Sequence, residues 1–292
     1  MRRWTPWLLT LALLSGCSAT ASDRRGDGTH RVLALSLSGT LAEIVVELGL
    51  ADRLVGRDVS STFPQTRGLP VVTQAHQVNA EAVLGLDPTL VLVEKGMGPP
   101  QALDALRRSG VPVTVVPEAW SVEQVYPRIT AVADALGVPA AGAALVERTR
   151  AEVRSAVASL PRFATPPRLA FLYLRGPAGV YLMAGRGSGA DSLFQAIGAV
   201  DAGTAIGLER FRPLTSEGLV RARPDVLVVM TKGLESVGGE AGLLEVAGVA
   251  QTPAGLHRRV VALDDASLLS FGPRTGEVLQ QLARGVAGEL AS

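Results

Sequence analysis

The chain has 292 residues, 47% of them apolar, and 28 basic against 27 acidic side chains leave a formal charge of +1. That length allows two lobes of ordinary size, each with a core. The near balance of charge, with basic residues scattered, excludes a nucleic-acid footprint. Cys17 is the only cysteine, which excludes an internal disulfide.

In chain order, Met1-Arg2-Arg3 and the apolar run Trp7 to Leu14 read as an export signal, too short to span a bilayer. It ends in Leu14-Ser15-Gly16-Cys17, which resembles a bacterial lipoprotein signal: residues 1–17 would be the signal up to its cysteine, with lipid on the Cys17 thiol. An ordinary signal peptide beside a chance cysteine is the alternative. Residues 18–29 are polar and unpatterned and read as a flexible tether.

Residues 30–139 are expected to form a first α/β lobe. Its elements are strand 31–35, helix 40–48, strand 55–58, a loop with Phe63 and Pro64, strand 70–72, helix 81–86, strand 90–93, helix 99–110, strand 113–116 and helix 121–136. Residues 140–160, rich in Ala, Leu, Glu and Arg, are expected to be one stiff helix about 30 Å long at ~1.5 Å per residue. Residues 161–292 form the second lobe, with strands at 168–174, 180–184, 226–230 and 260–263 and helices at 191–198, 214–222, 242–248 and 273–290. Alternation of strand and helix with short connections predicts an α/β fold of two Rossmann-like lobes joined by a long rigid helix.

One stretch repeats. Helix, proline and buried strand around Glu81, Pro88 and Leu90 to Val93 return at Glu217, Pro224 and Val226 to Val229, and each strand is followed by Lys-Gly, at Lys95-Gly96 and Lys232-Gly233. Those are the only two lysines. The repeat predicts two similar lobes with a ligand between them.

Catalytic motifs are absent: no H-E-x-x-H, C-x-x-C, Walker loop or G-x-S-x-G occurs, and Gly185 to Gly189 lacks the spacing of a dinucleotide loop. Of three histidines, His30 and His257 read as surface residues. His76 lies in a loop after a short strand, where ligands of twisted α/β sheets collect, although taken alone it reads as a polar loop histidine without a ligand. Tyr173 and Arg175, two apart on a strand end, share a face. A phenolate is a hard oxygen suited to ferric iron, and a guanidinium within reach helps to lower the ordinary phenol pKa of about 10. A core tyrosine beside a solvated arginine fits the spacing as well.

The lipoprotein signal, the pattern Val32 to Gly56 (with Ser36, Ser38-Gly39-Thr40 and Leu48-Gly49-Leu50-Ala51-Asp52-Arg53), Asn79-Ala80-Glu81 with Pro88 to Leu92, and Tyr173-Leu174-Arg175-Gly176 together resemble the haem-binding substrate-binding lipoproteins of bacterial haem ABC importers, the HmuT type. The resemblance runs over nearly the whole mature chain, and its broad part marks the wider class III of siderophore, cobalamin and haem binding proteins. It implies a non-enzymatic, monomeric receptor on the outer face of the membrane, with haem as cargo. His76 and Tyr173 would be the axial iron ligands, and Arg175 the hydrogen-bond partner of the tyrosine oxygen. Phe63, Met97, Tyr181 and Met183 would give apolar contact; Lys95, Arg57 or Lys232 would pair with the propionates. It also implies that Glu81 and Glu217 dock on the two permease subunits. A ferric siderophore or cobalamin receptor is the alternative within the class, and an exported enzyme or a structural surface lipoprotein are the alternatives outside it.

Overall fold

The computed structural model describes residues 30–291; the stretches read above as an export signal and a tether, with Cys17, lie outside the described residues. The first half runs β1 (Val32–Leu35), α1 (Thr40–Glu47), β2 (Thr73–Gln74), β3 (Gln77–Val78), α2 (Ala80–Leu84), β4 (Leu90–Glu94), α3 (Pro100–Arg108), β5 (Val113–Val116) and α4 (Val125–Ala135). The helix α5 (Pro139–Ala158) follows. The second half runs β6 (Arg168–Arg175), β7 (Val180–Ala184), α6 (Ala190–Ala196), β8 (Val200–Asp201), α7 (Ala202–Ala205), β9 (Phe211–Pro213), α8 (Ser216–Ala222), β10 (Val226–Met230), α9 (Thr231–Ser236), α10 (Gly239–Glu245), α11 (Pro253–Leu256), β11 (Val260–Leu263) and α12 (Thr275–Ala291).

The first sheet is parallel in the order β1-β4-β5, with Leu33 opposite Val91 and Val91 opposite Val113. β1 and β4 carry no polar residue before Glu94 because helices cover both faces. Val32, Ala34, Leu90 and Leu92 pack with Leu41 and Ile44 of α1 and Ile129 of α4. On the other face Leu33, Val91 and Val93 pack with Val83 of α2 and Leu106 of α3. The second sheet is mixed, in the order β11-β10-β6-β7-β9, with β8 parallel to the start of β6 and β7 antiparallel to its end. One core cluster is continuous from the first sheet through Leu145 and Val153 of α5 and Leu279 and Leu282 of α12 to Phe171 of β6. The long helix is therefore packed along its length rather than spanning solvent.

Several expectations shift. The strands expected at 55–58 and 70–72 shrink to single bridges, Val32 to Leu54 and Arg57 to Val71, because Pro70 has no N–H to give a ladder and Asp58 turns inward. The helix expected from Ser121 starts at Val125, and that expected at 242–248 runs from Gly239 to Glu245. The short elements β8, β9, α7, α9 and α11 carry too few residues for a period to register.

The internal repeat extends to the backbone. Asn79 caps α2 by accepting from Ala82 N–H at 3.0 Å, and Thr215 caps α8 by accepting from Gly218 N–H at 3.1 Å. Glu81 and Glu217 thus occupy the same position in the first turn, both exposed. Downstream, Asp87 and Arg223 both take the left-handed conformation, φ 46° and 48°, immediately before Pro88 and Pro224. A residue before proline is driven out of the right-handed helical region, so this pair of dipeptides stops each helix and aims the strand that follows.

Candidate functional site

The candidate residues gather at and just beyond the carboxyl ends of strands, where open α/β sheets collect their ligands. In the first half, the buried Asp58 carboxylate organises the rim. It accepts from Ser36 N–H at 2.9 Å, Ser60 N–H at 2.9 Å, Ser61 N–H at 2.8 Å and the Ser61 hydroxyl at 2.9 Å. These bonds fasten the loop after β1 to the loop after Arg57 and leave Leu37 and Val59 projecting, 51% and 47% exposed. Thr73 of β2 accepts from Val59 N–H at 3.0 Å, which ties the β2–β3 hairpin to the same rim.

Burial raises Asp58 above the ordinary carboxylate range, against the opposing hydrogen bonds from Ser36 and Ser61. Between the ordinary value near ~3.9 and the raised one, the folded state binds more protons than the unfolded state, so this group's contribution to stability falls as pH rises through that window. Asp58→Asn is expected to remove the slope: its melting temperature relative to the unsubstituted protein should climb as pH increases from about 4. A difference flat in pH would count against the assignment.

His76 stands exposed at the tip of the β2–β3 hairpin, not in the plain loop expected. Ala75 before it has φ 51°, and the His76 carbonyl accepts from Gly98 N–H at 2.9 Å, so the backbone is fixed while the imidazole makes no hydrogen bond among the described residues. Lys95 is exposed after β4 and makes no ion pair among the described residues. Phe63 is half-buried against the central core. Two expectations fail here. Met97 is only 5% exposed and packs with Leu35, Val78 and Val93 in the core, leaving little surface for a ligand. Arg57 commits one guanidinium nitrogen to the Asp58 carbonyl at 3.2 Å and buries its Nε, which leaves less of the guanidinium for a propionate.

In the second half, Tyr173 is half-buried near the end of β6, its ring edge-on to Phe211 with centroids 6.2 Å apart. The Arg175 guanidinium lies over the Tyr173 ring, 4.6 Å from its centroid, instead of donating to the phenol oxygen. It donates to the Leu174 carbonyl at 3.0 Å and pairs with Asp265 at 3.5 Å. Register corrects a further expectation. Tyr173 is opposite Leu182 and Leu174 is opposite Tyr181, so Tyr181 lies on the other face of the sheet, packed with Leu174, Met183 and Leu172. Tyr181 lines a separate cavity there with Leu214, Val237 and Val246. The residues that share the Tyr173 face are Leu182 and Phe211; sequence reading missed both, although the Gly176 to Gly179 turn between antiparallel strands fixes the pairing of Leu182.

Between the halves runs a polar seam. The Ser270 carbonyl accepts from Thr40 at 3.0 Å and from Arg128 at 2.9 Å. Arg128 also forms a buried ion pair with Glu94, whose second oxygen accepts from Leu37 N–H at 3.0 Å. Arg274 donates to Glu43 at 2.5 Å, and this bond raises Arg274 above the ordinary guanidinium range. Farther along, Val122 N–H donates to Ser192 at 3.1 Å, and the Arg210 guanidinium lies 5.3 Å from the Trp120 ring centroid. Among the described residues no bond or ring contact joins His76 to the second half. Among the described residues no group of three or more His, Cys, Asp or Glu could hold a bare metal ion, and no helix is long and apolar enough to cross a membrane.

Two α/β halves linked by one long packed helix, with their chemistry-bearing side chains at strand ends, define a two-lobed binding protein of class III. The chain belongs to the periplasmic binding protein family, which it matches over residues 35–266. It is similar to the solved apo form of the periplasmic heme-binding protein RhuT from Roseiflexus sp. RS-1, with 40% identity, 90% of this chain and 99% of that chain covered, and a TM-score of 0.84. It is also similar to the heme binding protein HmuT, with 39% identity, 89% and 85% covered, and a TM-score of 0.82. Solved HmuT variants replace a histidine, a tyrosine and an arginine by alanine, the last two being two positions apart. Among curated proteins, the ABC transporter substrate-binding lipoprotein YvrC of Bacillus subtilis (strain 168) is 23% identical over 97% of this chain and 96% of its own length.

Proposed function

We propose that this protein is a non-enzymatic extracytoplasmic receptor that takes up haem between its lobes, residues 30–139 and 161–292, and delivers it to an ABC permease. The observation that carries this reading is the Tyr173–Arg175 pair, a phenol with a cation stacked on its ring at an accessible strand end, spaced as the tyrosine and arginine replaced in HmuT. His76 supplies the second iron ligand from the other lobe; histidine and tyrosine are both established axial ligands of haem iron. Leu37, Val59, Leu182 and Phe63 offer apolar surface to the macrocycle. Lys95 and Lys232, exposed and without ion pairs among the described residues, are the cations for the propionates. Glu81 and Glu217, placed alike in two short capped helices, are the docking carboxylates for a permease of two equivalent subunits. Lipid on Cys17 tethers the monomer to the outer face of the membrane, a reading supported by the lipoprotein YvrC.

Titration of the purified protein with hemin, cobalamin and a ferric siderophore tests the reading. Hemin alone should produce a saturable new absorption spectrum; saturation by either other chelate in its place would overturn it. Within the site, Leu182→Glu should weaken hemin binding by about tenfold or more, since it sets a carboxylate against an apolar ring system, about 1.4 kcal/mol per decade. Tyr181→Phe, on the opposite face, should leave the affinity within about twofold.

A further inference from the structure

We propose, building on the haem reading above, that Asp265 is a positioning residue for cargo binding: it holds the Arg175 guanidinium against the Tyr173 ring and acts on the cargo only through Arg175. The Arg175 side chain is 37% exposed, so left alone it would sample many rotamers. Instead it is anchored at three points. Its Nη1 donates to the Leu174 carbonyl at 3.0 Å, its Nη2 reaches Asp265 Oδ2 at 3.5 Å, and its planar face rests on Tyr173 at 4.6 Å. Gly233 lies alongside: a β-carbon there would meet the Leu174 oxygen at a tight 3.2 Å and Arg175 Nη1 at 3.7 Å.

Asp265 is itself fixed. Its Oδ1 accepts from Lys232 N–H at 2.9 Å, and its side chain is only 16% exposed. The neighbouring Asp264 does the local structural work, accepting from Ala266 N–H and the Ser267 hydroxyl, both at 3.0 Å. Asp265 is thereby free of the turn and spends its two oxygens on the segment after β10 and on Arg175. A guanidinium held in this way is already beside the phenol when its oxygen takes on charge toward iron, and a planar fork loses little freedom in making the new contact. The Lys-Gly pair that repeats after each central strand gains a distinct use here: Lys232 lends its N–H to Asp265, and Gly233 keeps clear the Leu174 carbonyl to which Arg175 donates.

The test is a double-mutant cycle read by hemin titration and by the spectrum of the ferric complex, using Asp265→Asn, Arg175→Ala and the double variant. Asp265→Asn should weaken hemin binding several-fold, by no more than Arg175→Ala does, and shift the spectrum toward that of Arg175→Ala, since Asp265 stands one step behind a partner whose own loss costs about ten- to a hundredfold. In the Arg175→Ala background the same substitution should change neither quantity by more than about twofold. Equal weakening in both backgrounds, or none in the first, would overturn the proposal. Tyr173→Phe run in parallel separates the two levels: a spectrum insensitive to Tyr173→Phe removes the ligand assignment itself, whereas one sensitive to it but insensitive to Asp265→Asn removes only the role of Asp265.

Discussion

Tyr173→Phe is expected to eliminate the phenolate-to-iron absorption of the ferric hemin complex and to lower hemin affinity by about a hundredfold or more, because even partners one shell out cost about ten- to a hundredfold. Phenylalanine keeps the ring that packs edge-on against Phe211 and under the Arg175 guanidinium, so the scaffold is retained and only the oxygen is lost. The residual affinity should come from apolar burial at Leu37, Val59 and Leu182 and from His76. His76→Ala should then remove most of what remains, with a smaller effect alone, since an exposed imidazole at a hairpin tip costs more order to immobilise than a half-buried phenol on a sheet. Absorption spectra and titrations of the two single variants and the double variant give the answer. A Tyr173→Phe protein with the unsubstituted spectrum would end the ligand assignment.

The largest loss of stability should follow Arg128→Ala. The Arg128 side chain is 2% exposed and its partner Glu94 9%, and the pair stands where the two lobes meet. Burial pulls Arg128 below the ordinary guanidinium range, and Glu94 is the main influence restoring it. With the guanidinium gone, Glu94 is left as a buried carboxylate with the Leu37 N–H, and the Ser270 carbonyl retains only Thr40. Stranding one partner of a buried pair costs about 3–5 kcal/mol. At about 2–4 °C per kcal/mol for chains of roughly this size, the melting temperature should fall by on the order of 10 °C. Replacing both partners with apolar residues, Arg128→Met with Glu94→Leu, should recover part of the loss, because the unpaired charge disappears with its partner. A fall of less than about 2 °C for Arg128→Ala alone would mean that Glu94 finds water or another donor.

What the sequence could disclose depended on the length scale of each signal. β1, β4 and β10 are apolar on both faces, and only a parallel strand covered twice by helix reads that way. Their positions, and that of α5, were therefore legible. The repeat of Glu81 and Pro88 at Glu217 and Pro224 was equally plain, and the structure adds the caps and the left-handed residues beneath it. The cargo site was legible only in part. Tyr173 and Arg175 could be placed on one face by spacing, whereas the division of Tyr181 from Leu182 is a matter of antiparallel register and reverses with a shift of one residue. Met97 reads like any apolar residue after a strand, and nothing in its neighbours says that it faces inward. Leu37 and Val59 were invisible because their exposure is enforced by Asp58, a side chain whose bonds span separate loops. Asp265 was missed for the same reason: its partners, Lys232 and Arg175, are distant in the chain.

The duplicated unit, capped helix with glutamate, left-handed residue, proline and buried strand, is nearly alike in the two lobes, but the flanking pieces are not. The hairpin that presents His76 has no counterpart in the second lobe, and the antiparallel β7 and β9 that flank Tyr173 have none in the first. On the function proposed here, the mirrored modules meet a partner of two equal subunits, while the unmatched pieces set the surroundings of the two proposed iron ligands, so that the two faces of the cargo are treated differently. A change in the hairpin or in β7 and β9 would therefore alter how the cargo is held and leave both docking carboxylates where they stand.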